Sequence, residues 1–130
     1  MSGNPVTFPS DTKDGLTQLS GASKALATAA TAGGVAAIEN PLGVDLIITR
    51  TILDVTTDAT GAATVDVGVA ANATTSDDGL LDGQDVGTAA GLFDSTTLLK
   101  WGADEFVTAS QASGAVAGLV GTLYVEYIEA

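Results

Sequence analysis

The sequence predicts an all-β protein: a single antiparallel β-sandwich of jelly-roll or Greek-key type, with an extended N-terminal arm. Three observations carry this. Runs of alternating or β-branched apolar residues, such as LIITRTILDV and ATVDVGV, recur between turn formers. No stretch has the length and the 3.6-residue apolar spacing of an ordinary amphipathic helix. The 130-residue chain also suits one domain, since single domains peak at roughly 100–150 residues.

Residues 1–40 read as an arm with short extended segments. Pro5 and Pro9 lie close together, Asp11, Asp14, Gly15 and Gly21 are turn formers, and apolar residues are scattered. In ALATAATAGGVAAIEN the alanines favour helix, but the threonines and Gly33-Gly34 oppose it. Residues 25–32 and 35–39 are therefore expected as short strands or extended segments, ended by Asn40-Pro41. The sandwich domain is assigned to 41–130.

Residues 44–57, VDLIITRTILDVTT, contain neither glycine nor proline and predict a long strand. Val44, Leu46, Ile48 and Ile52 share one parity; Ile47, Leu53 and Val55 share the other. That switch predicts a bulge near Arg50–Ile52. After a turn at 58–61, Val65, Val67 and Val69 alternate with Asp66 and Gly68, a half-buried strand over 63–70. The two strands are expected to form a hairpin, with Arg50 paired to Asp66 across it or to an acid of a neighbouring subunit. Residues 71–100 read as a loop-rich excursion, too long for an idle connection, pinned by Leu80-Leu81 and Leu92-Phe93. Strands are expected at Glu105–Ser110 and 116–128, with a turn at Gln111–Gly114. Leu119, Gly121, Leu123, Val125 and Tyr127 form a core-facing set. Val120, Thr122, Tyr124, Glu126 and Ile128 face water or another subunit.

Composition narrows function. There is no histidine and no cysteine, which removes the Ser-His-Asp relay, cysteine nucleophiles and zinc or iron–sulfur ligation by thiolate. The chain is expected to be no enzyme and to need no cofactor. Its formal charge of −12 repels phosphate backbones and anionic headgroups, so neither nucleic acid nor membrane is an expected partner. The N-terminus lacks a secretory pattern, and synthesis in a cytoplasm is expected. Alanine, glycine and threonine occupy 56 of 130 positions. Such a core buries little area per residue, so part of the apolar surface is expected between subunits.

Few residues qualify as chemical sites. Asp77, Asp78, Asp82 and Asp85 lie among glycines and are a weak calcium candidate, but the EF-hand rhythm is absent, and a solvated acidic loop is the preferred reading. Asp54, Asp66 and Asp104-Glu105 lack the cleft that a glycosidase carboxylate pair needs. Asn72-Ala73-Thr74 is a sequon without a secretory context. Interface candidates are Pro5, Phe8, Pro9, Leu16 and Leu19 of the arm, with Tyr124 and Trp101. For Trp101, the lone tryptophan, a core plug is the favoured reading and an interface anchor the rival.

The runs IITRTILDVTTDATGAATVDVGVA, DGLLDGQDVGTAAGLFD and AGLVGTLYVEYIEA resemble small virion proteins of tailed bacteriophages, over residues 42–130. In these a compact β-sandwich decorates or cements the capsid exterior, often as trimers at local three-fold positions. The resemblance implies a virion component on the capsid exterior, made in the host cytoplasm. Its partners would be the major capsid protein and copies of itself, and the arm would clamp the shell or a neighbour. A tail, fibre or head-spike module and a carbohydrate-binding β-module are the alternatives.

Overall fold

The computed structural model describes residues 19–28 and 34–130. Nine strands are formed among them: β1 (Ser20–Ala25), β2 (Ala36–Glu39), β3 (Leu46–Thr57), β4 (Ala63–Ala70), β5 (Leu81–Asp85), β6 (Gly91–Ser95), β7 (Leu99–Trp101), β8 (Phe106–Gly114) and β9 (Val120–Glu129). They build two sheets packed face to face. The front sheet runs β1-β9-β3-β6, with β7 also paired to β3; the back sheet runs β2-β8-β4-β5. Every pairing is antiparallel. β2 lies within the segment expected at 35–39, whereas β1 falls at Ser20–Ala25, ahead of the one expected over 25–32, and joins the front sheet from residues read as an arm. Pro5, Phe8, Pro9 and Leu16 lie outside the described residues.

Alternation decides which side chains fill the space between the sheets. Leu46, Ile48, Leu53 and Val55 of β3 are buried, with Leu123, Val125 and Tyr127 of β9, Val65 and Val67 of β4, and Val107 and Ala109 of β8. The inward set expected for β9 is thus buried, apart from half-buried Gly121. The parity switch in β3 is a bulge: the register with β9 breaks between Ile48 and Arg50, leaving Thr49 as the extra residue. Its hydroxyl donates to the Glu126 carbonyl at 3.2 Å, so the bulged residue keeps a partner.

Two expectations are corrected and a third is refined. β3 and β4 do not form a hairpin, because residues 58–62 cross from the front sheet to the back one and put the two strands in different sheets. Residues 71–100 are loop-rich as expected, but they also supply β5, β6 and the first two residues of β7. The turn expected at Gln111–Gly114 is instead the end of β8, which continues opposite Ala63–Val65.

The remaining part of that excursion, residues 71–79, lies on the outside of the back sheet. Thr108 is buried there and its hydroxyl donates to the Thr75 carbonyl at 2.9 Å. A Cβ on Gly68 would come within 2.7 Å of the Asp77 backbone, so only glycine lets this segment lie flat on β4. The back sheet is therefore covered on both faces near its centre.

At one end of the sandwich the Asn40 side chain ties two turns together. Asn40 is 7% exposed. Its amide nitrogen donates to the carbonyls of Val44, Trp101 and Gly102 at 2.8, 3.3 and 3.0 Å. Its oxygen accepts from the Leu42 and Gly43 amides, both at 3.0 Å. The 40–44 turn and the 101–105 turn are thereby locked together.

Candidate interaction surface

The outer face of the front sheet is the open one. Register places Ser23, Tyr124, Ile52 and Asp94 in one row across β1, β9, β3 and β6, and Thr122, Asp54 and Leu92 in the next. Tyr124 and Leu92 are exposed, at 44% and 72%. Ile52 lies directly opposite Tyr124 and diagonally from Leu92, close enough for all three to form one apolar stripe. Beside it, a groove of about 420 Å³ is lined by Leu19, Ser20, Gly21, Ser23, Arg50 and Glu126, among others. Gly21, which has no side chain, and Ser23, which has a small one, leave that space open beside Tyr124.

Charge frames the stripe. The Arg50 guanidinium meets Asp94 at 3.1 Å, both about half exposed. This corrects the expected pairing with Asp66, which belongs to the other sheet; Asp66 instead accepts from the Gly83 amide at 2.7 Å. An exposed pair of this kind contributes little to stability, at most about 1 kcal/mol. Its effect is to set the local charge pattern.

Of the interface candidates within the described residues, Leu19 and Tyr124 lie on this face and are exposed. Trp101 does not belong there. It is fully buried, its indole nitrogen donates to the Glu105 carbonyl at 3.0 Å, and its ring meets Tyr127 edge-on at 5.8 Å. It plugs the core, and its interface reading is corrected on that ground. Leu92 is corrected in the opposite direction. Expected as an anchor, it points outward because GLFDS is a strand, which puts Leu92 and half-buried Phe93 on opposite faces. Reading that pentapeptide at period two would have found it.

The acidic loop residues do not converge. Asp77 accepts from the Gly79 amide at 3.1 Å. Asp85 accepts from the Gly87 and Thr88 amides at 2.9 and 3.2 Å and from the Thr88 hydroxyl at 2.6 Å. Each closes its own turn, and among the described residues no three acids come together as a metal site. Asp77, Asp78, Asp82 and Asp85 thus do not build the calcium candidate.

Two carboxyls are held below the usual aspartate value of 3.8: Asp85 by the Thr88 hydroxyl and then the Gly87 amide, Asp45 by Lys100, whose ammonium lies 3.2 Å away, and then by the Ala103 amide. For a lowered carboxyl the stabilisation is complete above the unfolded-state value and fades as pH falls through the lower folded-state one. Hydrogen exchange should therefore show the Gly87 and Thr88 amides fully protected at pH 6, with that protection fading selectively only as pH falls from 3.8 toward the lower folded-state value. Undiminished protection of both amides at pH 6 in Asp85→Ala would contradict the Asp85 cap.

What this geometry offers is a broad face for contact: an apolar stripe, a groove of small residues and a framed charge pattern. No family model matches the sequence, and no curated protein matches it. The architecture is nonetheless shared with chains of phage capsids. A chain of the cyanophage Pam1 capsid asymmetric unit superposes with a TM-score of 0.57 at 19% identity, over 96% of this chain and 93% of that one. A chain from the capsid of Ralstonia phage GP4 gives 0.55 at 22% identity, over 96% and 92%.

Proposed function

We propose that this chain is a structural, non-enzymatic virion protein that binds the outside of an assembled phage capsid and stabilises it by bridging neighbouring capsomers. The observation that carries the reading is the nearly end-to-end match to chains of two phage capsids. At these identities the match reports fold, and the remaining support is physical. The nested strand order, 1-9-3-6 against 2-8-4-5, supports a jelly-roll type. The −12 charge disfavours packaged nucleic acid as a partner and favours an exterior position. The stripe of Ile52, Tyr124 and Leu92 supplies a contact for copies of itself, most simply as a trimer at local three-fold positions. Synthesis in the host cytoplasm goes with this placement.

The mechanism is mass action. A protein that binds the assembled shell and not its free subunits stabilises assembly by RT ln(1 + [L]/Kd), about 2.7 kcal/mol at a hundredfold excess over Kd. Calorimetry of capsids that lack this protein should show a higher melting temperature once it is added, with saturation at a fixed stoichiometry. Absence of binding, or binding with no shift, would reject the reading. Sedimentation at micromolar concentration tests the self-contact: a clean single-subunit mass counts against the trimer.

A further inference from the structure

We propose that the end of the sandwich built around Asn40 is the surface that meets the shell. There the turn Pro41–Val44 presents Leu42 and Val44 to an apolar pocket on the capsid protein, and that pocket is rimmed by lysine or arginine. The proposal rests on the decoration reading and adds which part of the chain docks and the chemistry of what it docks into.

Three observations converge. Leu42 and Val44 are 51% and 43% exposed, so their apolar character does nothing for the core. Yet the backbone that carries them is firmly held, since the five hydrogen bonds of the Asn40 side chain join the turn to itself and to the 101–102 backbone. A rigid apolar projection loses little entropy on docking, the usual property of an interface anchor.

Secondly, the chain brings other exposed apolar surface to the same end. Ser20 pairs with Tyr127 near the end of β9, so exposed Leu19 enters the front sheet here. The end of β9 is tied to the turn as well, because the Ala130 amide donates to the Asp45 carbonyl at 3.1 Å.

Thirdly, the rim is acidic. Glu39, Asp45, Asp104 and Glu129 are exposed on the segments that meet here. Asn40 donates its amide to the Glu105 carbonyl, and Asp45 accepts from the Ala103 amide, which sets the 101–105 turn beside Leu42 and Val44. Among the described residues the only base at this end is Lys100, already paired with Asp45. An apolar knob in an acidic rim complements an apolar pocket in a basic rim. A second copy of this chain would bring the same negative rim against it, which disfavours self-association through this end.

The test uses capsids assembled from the shell protein encoded alongside this chain, titrated with the full-length protein at several salt concentrations. Leu42→Ser/Val44→Ser should leave the melting temperature of the free protein within a few degrees of the original. It should weaken capsid binding about 30-fold or more, the loss expected from two apolar anchors. The single, nearly isosteric Val44→Thr should weaken it by a smaller factor and guards against misfolding of the double variant. Asp104→Asn/Glu129→Gln should lower affinity several-fold and flatten its salt dependence. If the original protein binds while the apolar variants bind equally well, the docking end is wrong and the decoration reading stands. Affinity indifferent to both salt and the acid variant overturns the basic rim. Failure of the unaltered protein to bind any shell overturns both.

Discussion

Gly121→Ala is expected to destabilise the sandwich by about 3 kcal/mol or more, a large value for adding one methyl group. Gly121 lies in β9 opposite Val55 of β3, and a Cβ there would land on the carbonyl oxygen of Asp54. The obstacle is backbone, so no rotamer change relieves it. The close approach lies beside a bulge, where the β3–β9 register shifts between Val55 and Thr57. Relief would require separating the two central strands of the front sheet, which carry Leu53, Val55, Leu123 and Val125 into the core. Urea unfolding measures the effect, with Gly61→Ala as control, since a Cβ on Gly61 meets nothing within 4 Å. A loss below about 1 kcal/mol at Gly121 would show that the bulge opens freely and that the strand spacing is not fixed there.

Asn40→Leu should cost about 2–4 kcal/mol, which is large beside the roughly 5–15 kcal/mol that holds a typical domain together. Leucine is similar in size, so packing is nearly preserved and the loss reports hydrogen bonding. Three carbonyls and two amides each lose a hydrogen bond at once, in a site that is buried or partly buried, although the Gly102 carbonyl keeps the Glu105 amide. Those that water can reach are compensated in part, which sets the lower bound. Asn40→Asp separates the contributions. It keeps the acceptor for the Leu42 and Gly43 amides but turns a charge toward the carbonyls of Trp101 and Gly102, so it should be at least as damaging as leucine at pH 7. An aspartate variant with undiminished stability would mean that only the two amide contacts matter.

How far the sequence reveals this molecule depends on how local the determinants are. β4 is legible to the residue because Val65 and Val67 alternate with polar neighbours and clear turn formers bracket the segment. The inward set of β9 and the bulge in β3 are legible for the same reason: parity is a local property. Strands β5, β6 and β7 are not, because LDGQD, GLFDS and LKW are short and partly polar and gain strand character only from partners. The hairpin expectation failed where neighbours in sequence were assumed to pair, which is common but not general. The partner assigned to Arg50 failed with it. The candidate surface shows the same division. Tyr124 is readable from alternation, whereas Leu42 and Val44 are tied to the rest of the fold by distant partners, among them the Trp101 and Gly102 carbonyls that Asn40 reaches 61 and 62 residues away.

The packing of Trp101 has a practical consequence. It is the sole indole in the chain, sealed from solvent, with Tyr127 against its ring and the Glu105 carbonyl on its nitrogen. Its own carbonyl is one of those held by Asn40. The protein thus carries a native fluorophore beside the loop that we assign to docking. Emission should be blue-shifted and shielded from aqueous quenchers while that end stays closed, and any loosening there becomes visible in the spectrum without attaching a label.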